Sequence, residues 1–240
     1  MSENQETQSV LENQDESQNQ NIAETRNISV LTSSEMESLR WLGPFADYKL
    51  IRIRSPLDGS CFFHSVVRSF FLPYMTGTLN GQVFDKFSFI RNFRKSLSVK
   101  LASKTNPADP NSLTYYDTLS RGQLRDLSGA LPDYSLENMQ SELDSNSPVD
   151  NIYNEYVSYQ INKDIYILDA IKQDVYMTGN DFDILYKNRP SVVLLYLPGH
   201  YELMGLQEHN TVRVIFDHSH PFIISIRNRM KELVAFSAQR

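Results

Sequence analysis
Cysteine is almost missing from this chain: Cys61 stands alone among 240 residues. One thiol excludes an internal disulfide and a cysteine-rich zinc site. Long apolar runs are missing too. None approaches the roughly 18 residues that a membrane-spanning helix requires. The first residues are polar and acidic, unlike a secretory signal, and no basic field argues for nucleic acid. A free thiol suits a reducing compartment, so the expected location is the cytoplasm or nucleus.

The net charge of −6 is unevenly spread. Residues 1–29 hold six acids (Glu3, Glu6, Glu12, Asp15, Glu16, Glu24) and one base, Arg26. This Gln/Asn-rich leader has too few apolar residues to offset the entropy of ordering, so it is expected to be disordered. The expected division is a leader at 1–29, a globular domain at 30–217 and a C-terminal helix at 218–240 that packs on the domain.

The lone cysteine lies in Asp58-Gly59-Ser60-Cys61, followed by the apolar run Phe62-Phe63-His64-Ser65-Val66-Val67. Pro56 and Gly59 mark a loop, and the run reads as a helix beginning at Cys61. A thiol at a helix N-terminus faces unpaired N–H groups and the positive end of the dipole. That environment is expected to lower its pKa and favour the nucleophilic thiolate. The N–H groups of Asp58, Gly59, Ser60 and Cys61 are candidates to receive an oxyanion. The bland alternative is a buried, inert cysteine.

A base must come from another part of the chain. Val192–Leu197 reads as a buried strand, Pro198-Gly199 as a break, and His200–Leu206 as the next strand. Residues i and i+2 of a strand share a face, so His200 and Glu202 can point the same way, with the carboxylate orienting the imidazole. Asp58 and Asp217 are alternative orienting acids. His64, one turn after Cys61, is a rival base by proximity, although an i+3 neighbour on the same helix is poorly placed to reach the thiol.

The block Asp58-Gly59-Ser60-Cys61-Phe62-Phe63-His64 resembles the nucleophile motif of the ovarian-tumour (OTU) cysteine proteases. His200-Tyr201-Glu202-Leu203-Met204 resembles the family's late His-aromatic motif, in the expected order. The likeness spans roughly residues 45–206, with specificity in these two motifs. It implies Cys61 as nucleophile, His200 as general base, Asp58 as the residue that shapes the oxyanion loop, and Glu202 where many members carry Asp or Asn. It implies hydrolysis of the bond after the C-terminal glycine of ubiquitin, in conjugates or polyubiquitin, or of a ubiquitin-like modifier, with no cofactor or metal. Together with the acidic leader, the motifs also resemble OTU-like proteins of large DNA viruses, which would act in a host cytoplasm. Two rivals are a non-catalytic ubiquitin-binding module on the same fold and a papain-like peptidase of other specificity. The Cys-Gly-Ser-Cys-Trp context of the latter is missing.

Helical spacing dominates the first part of the chain and β-favoured runs the last. The expected fold class is α+β, a mixed α/β sandwich with a small central sheet flanked by helices; the resemblance implies the OTU-like, papain-superfamily version. Ser34-Glu35-Met36-Glu37 fits a capping box opening a short helix to about Trp41. Residues 74–83 read as loop. Phe84 to about Ser103 reads as an amphipathic helix with Lys86, Arg91, Arg94, Lys95 and Lys100 on its solvated face. Helices are expected over Leu113–Leu131, Ser135–Leu143 and Asp150–Asn162. Asp181–Tyr186 reads as a short helix or loop, and Val212–Phe216 as one strand. Asp217-His218-Ser219-His220 carries metal-ligand types but fits no familiar zinc spacing; a polar turn capping the last helix is the default.

Overall fold
The structure is a computed structural model, and it describes residues 27–28, 33–121, 124, 134–149, 151–177 and 186–237. In chain order the elements are β1 (Asn27–Ile28), β2 (Met36–Leu39), β3 (Leu50–Ile53), α1 (Cys61–Phe70), α2 (Leu72–Thr76), β4 (Thr78–Leu79), β5 (Gln82–Val83), α3 (Lys86–Leu101), α4 (Tyr115–Arg121), α5 (Leu136–Asp144), α6 (Asn154–Gln160), β6 (Asp164–Asp169), β7 (Asp174–Val175), β8 (Ser191–Leu197), β9 (His200–Glu208), β10 (Thr211–Arg213), β11 (Ile215–Phe216) and α7 (Pro221–Ser237).

A mixed sheet separates two cores. Its main path runs β1-β10-β9-β8-β6-β7, with β3 also paired to β9, β2 to β3, and β11 to β8. Only β6 and β8 are parallel; the other named pairs of this sheet are antiparallel. Alternate residues of each strand face opposite sides. Ile165, Ile167, Val192, Leu194 and Leu203 enter one core with α1 to α6. Tyr166, Leu168, Val193, Leu195 and Met204 enter the other, against α7 and the Trp41–Phe45 segment. Both faces being covered explains why β6 and β8 read as continuous apolar runs. The α+β expectation of a central sheet flanked by helices is met.

The C-terminal helix α7 contributes Phe222, Ile223 and Ile226, all fully buried, each worth about 2 kcal/mol of burial. Among the described residues no helix is long and apolar enough to cross a membrane.

Four expectations are corrected. Residues 36–39 form a strand, not a helix: β2 pairs residue for residue with β3, from Met36 opposite Ile53 to Leu39 opposite Leu50. Met36 and Leu39 pack against the two cores, and Arg54 meets Glu37 at 3.2 Å. Tertiary pairing overrides a local capping signal. Residues 74–83 contain the end of α2 and the β4–β5 hairpin rather than loop alone. The 212–216 run divides, because β10 pairs with β9 whereas β11 pairs with β8. The short strand β1 pairs with β10, so sheet begins inside the segment assigned to the leader. The rest of that leader, residues 122–123 and 125–131 of the helix expected over Leu113–Leu131, and residues 181–185 of the element expected over Asp181–Tyr186 lie outside the described residues.

Candidate active site
Cys61 opens α1, which lies against the start of β9. Pro198 and Gly199 form the two-residue turn between β8 and β9, with Gly199 at φ +75 and His200 opposite Leu197. The positive φ suits glycine at this position. The pairing of β3 with β9 begins only at Leu203, so the outward edge of β9 at residues 200–202 is left to α1. There the Tyr201 N–H donates to Cys61 Sγ at 3.4 Å. The Tyr201 ring meets Phe62 edge-on at 5.5 Å. Ser65 Oγ lies 2.8 Å from the Cys61 carbonyl and 3.2 Å from the Tyr201 carbonyl. The nucleophile candidate and the base candidate are therefore joined through one peptide unit, that of His200 and Tyr201.

The thiol is 95% buried, 5% exposed. Burial pushes its pKa up, and the Asp58 carboxylate adds to this, against hydrogen bonds from the Tyr201, Phe62 and Cys61 N–H groups that pull it down. The expected lowering by the helix N-terminus is thus corrected: desolvation outweighs the N–H groups, and in the substrate-free state Cys61 is held as the thiol.

The loop before Cys61 is fastened on both sides. Asp58 Oδ1 accepts the Ser60 N–H at 2.9 Å. Asp58 Oδ2 lies 3.1 Å from His64 Nε2, and His64 Nδ1 lies 2.6 Å from the Tyr74 hydroxyl. A carboxylate only accepts, so His64 Nε2 carries the proton and Nδ1 accepts from Tyr74. His64, fully buried, is thereby committed to Asp58 and Tyr74. The Ser60 N–H, one of the expected oxyanion donors, is already used by Asp58. Besides its contact with its own thiol, the Cys61 N–H makes a long 3.4 Å contact with the Asp58 carbonyl, and the Gly59 N–H donates to no described residue. A Cβ at Gly59 would lie 1.8 Å from the Asn146 carbonyl oxygen, so the segment after α5 packs directly on this loop and demands glycine.

Sequence reasoning missed Arg94. It was placed on the solvated face of the helix, yet it is 1% exposed. Its Nη1 donates to the Gly59 carbonyl (3.1 Å) and Ser60 Oγ (2.7 Å), its Nε to the Leu143 carbonyl (3.1 Å), and its Nη2 to the carbonyls of Glu142 (2.8 Å) and Ser147 (2.9 Å). The signal was present: Arg94 is i+4 from Ile90 and i−3 from Leu97, on the buried stripe itself.

The base side is looser. His200 Nε2 lies 3.5 Å from Glu202 Oε1, and this buried nitrogen has no hydrogen-bond partner among the described residues. Glu202, 3% exposed, is gripped by Arg52 instead, with Nε to Oε2 at 2.6 Å and Nη2 to Oε1 at 2.9 Å. His200 and Glu202 are brought together as neighbours without a hydrogen bond. Asp217, the distant alternative, accepts from the N–H and hydroxyl of Ser219 and lies 3.3 Å from His218. His220 bonds Glu208 at 2.9 Å. These contacts make the 217–220 segment a turn at the start of α7.

Among solved structures, the chain is similar to an Ovarian Tumor (OTU) domain in complex with ubiquitin, at 15% identity over 85% of this chain and 94% of that one, with a TM-score of 0.47. It is similar to the viral OTU domain protease from Taggert virus at 12% identity, over 75% and 98% of the two chains, TM-score 0.38. It is similar to that from Farallon virus at 13%, over 76% and 98%, TM-score 0.35. No family model matches the sequence, and no curated protein does.

Proposed function
We propose that this protein is a thiol-dependent hydrolase that cleaves the bond after the C-terminal glycine of ubiquitin or a ubiquitin-like modifier. The observation that supports the reading is the seating of Cys61 Sγ on the Tyr201 N–H at 3.4 Å, the peptide unit that Tyr201 shares with His200, the candidate base 139 positions after Cys61 in the chain. The substrate class rests on the resemblance of Asp58-Gly59-Ser60-Cys61 and His200-Tyr201-Glu202 to the OTU motifs. In this reading His200 takes the thiol proton as Cys61 attacks the scissile carbonyl. The Gly59 and Cys61 N–H groups receive the oxyanion. The imidazolium then protonates the leaving amine, and the neutral imidazole draws a proton from the water that hydrolyses the thioester. A cytoplasmic or nuclear setting, where thiols stay reduced, suits this chemistry.

A second reading is a binding module that holds ubiquitin without cutting it. It is favoured by the pairing of Glu202 with Arg52 and by His200 Nε2 having no hydrogen bond among the described residues. Ubiquitin bearing a C-terminal electrophile separates the two. The hydrolase forms one covalent adduct by intact mass, lost in Cys61→Ala and strongly slowed in His200→Ala. The binding module holds ubiquitin but reacts no faster than an ordinary thiol. Folded wild-type protein that forms no adduct with ubiquitin or the common ubiquitin-like modifiers overturns the hydrolase reading.

A further inference from the structure
The peptide unit between Gly59 and Ser60 is held from both directions. Its carbonyl accepts from Arg94 Nη1 at 3.1 Å, and its N–H donates to Asp58 Oδ1 at 2.9 Å. Glycine has low barriers to rotating such a unit, and a flip would break both bonds and turn the carbonyl toward the Asp58 carboxylate. It would also disturb the two flanking N–H groups, of Gly59 and Cys61, that remain to receive an oxyanion. The Asp58 bond alone is a local turn within the loop. Asp58 is tied in turn to His64 of α1, and Arg94 ties the same peptide to α3 and the end of α5. Arg94 belongs to α3, and the same guanidinium binds the carbonyls of Glu142, Leu143 and Ser147 at the end of α5. That segment is also the one whose Asn146 carbonyl closes on Gly59. One planar side chain therefore joins three parts of the chain around the loop. Lysine cannot replace it, because an ammonium has three donors and no fork.

We infer that Arg94 is a positioning residue for acyl transfer, fixing the Gly59–Ser60 peptide so that the neighbouring N–H groups are ready for the oxyanion before substrate binds. This rests on the hydrolase reading above. Arg94 touches neither thiol nor substrate; it acts through the loop.

The test compares two reactions of the same thiol. Hydrolysis of a fluorogenic amide at the ubiquitin C-terminus needs the oxyanion site; alkylation of Cys61 by iodoacetamide does not. Arg94→Lys retains the positive charge near Cys61, so the thiol keeps its electrostatic surroundings. The expected result is a fall in kcat of at least about tenfold, with KM within about twofold and the alkylation rate unchanged. Ser60→Ala removes one acceptor of Nη1 and no other bond of Arg94, a smaller change than Arg94→Lys. It should lower kcat by about fivefold, again with alkylation unchanged. Equal losses in both reactions would make Arg94 a folding residue only and overturn the inference, as would an undiminished kcat in Ser60→Ala and in any Arg94→Lys protein that folds. Wild-type protein that alkylates but never hydrolyses the amide overturns the hydrolase reading itself, a distinct outcome.

Discussion

The two halves of the candidate site are built to different standards. On the nucleophile side, Asp58 is tied to His64 and Ser60, His64 to Tyr74, and Gly59 and Ser60 to Arg94. Every link is at least partly buried and falls within hydrogen-bond range. On the base side, His200 Nε2 has no hydrogen bond among the described residues and stands 3.5 Å from an acid that a guanidinium holds at 2.6 and 2.9 Å. The difference is chemically reasonable for a two-step acyl transfer. The oxyanion loop has to present one geometry, because a flipped peptide replaces a donor with an acceptor. The imidazole has to face the thiol, the leaving amine and then water, and a ring fixed by two strong bonds would be slow to do so. Under the proposed hydrolase reading, looseness at His200 and rigidity at Gly59 serve the same reaction.

The contrast is broken most forcefully at His200. His200→Ala is expected to lower kcat by about a thousandfold, as loss of a general base does, while leaving the thermal midpoint near that of the wild type, since no hydrogen bond of Nε2 is lost. A large fall in stability would show that the imidazole is a structural anchor. Next comes Arg52→Met. Glu202 would remain buried without its cation, at a cost of about 3 kcal/mol, read from the urea midpoint. The same variant sharpens the comparison. With Arg52 gone, the Glu202 carboxylate 3.5 Å from His200 Nε2 is free to accept from it, so kcat of the folded variant should rise with KM little changed. A smaller effect is expected for Glu202→Gln, about tenfold in kcat with KM little changed. If kcat is untouched, Arg52 is the only partner of Glu202, and the base side has no orienting acid among the residues considered.

Much of this geometry was legible in the sequence because it is local. Pro198-Gly199 between two apolar runs specifies a tight turn, and the turn puts His200 first in β9. The helix start at Cys61 follows from the loop residues before it and the apolar run after it. What escaped was set by contacts far apart in sequence. Glu202 was paired with His200 from i, i+2 spacing, but Arg52 lies 150 residues away on the neighbouring strand. Only the β3–β9 register, with Arg52 opposite Met204, brings the guanidinium diagonally across to it. The β2 helix expectation failed for the same reason: a capping box is a local signal, and the partner that overrode it, β3, is known only from the fold. The thiol pKa was misjudged because a helix N-terminus can be read from sequence, whereas the depth at which it is buried cannot. Arg94 is the instructive case. Its helical position gave it away, but its charge argued for the solvent, and periodicity was the better guide.

The nucleophile side also makes a prediction that turns on a single proton. His64 is fully buried, and burial depresses its pKa below the ordinary 6.5, with Lys86 and Arg94 adding to the depression and Asp58 opposing it. The unfolded chain, whose imidazole is ordinary, takes up its proton as pH falls through 6.5, while the folded protein resists. The unfolded state then binds more protons, so stability falls with falling pH in that window. The contribution is complete above the unfolded value and is lost between it and the depressed folded value. The structural cost of protonation is plain: Nδ1 becomes a donor, and the Tyr74 hydroxyl 2.6 Å away loses the acceptor it faces. His64→Gln keeps a donor and an acceptor at similar reach but does not titrate. At pH 7.5 it should be less stable than the wild type by about 1 kcal/mol, the worth of a typical hydrogen bond. The gap should narrow as pH is lowered toward 5.5, measured by urea midpoints at each pH. A gap that stays constant would mean that His64 does not hold Asp58 through a neutral ring. The rigidity of the 58–61 loop would then rest on Arg94, the Asp58–Ser60 bond and the packing of Asn146 on Gly59.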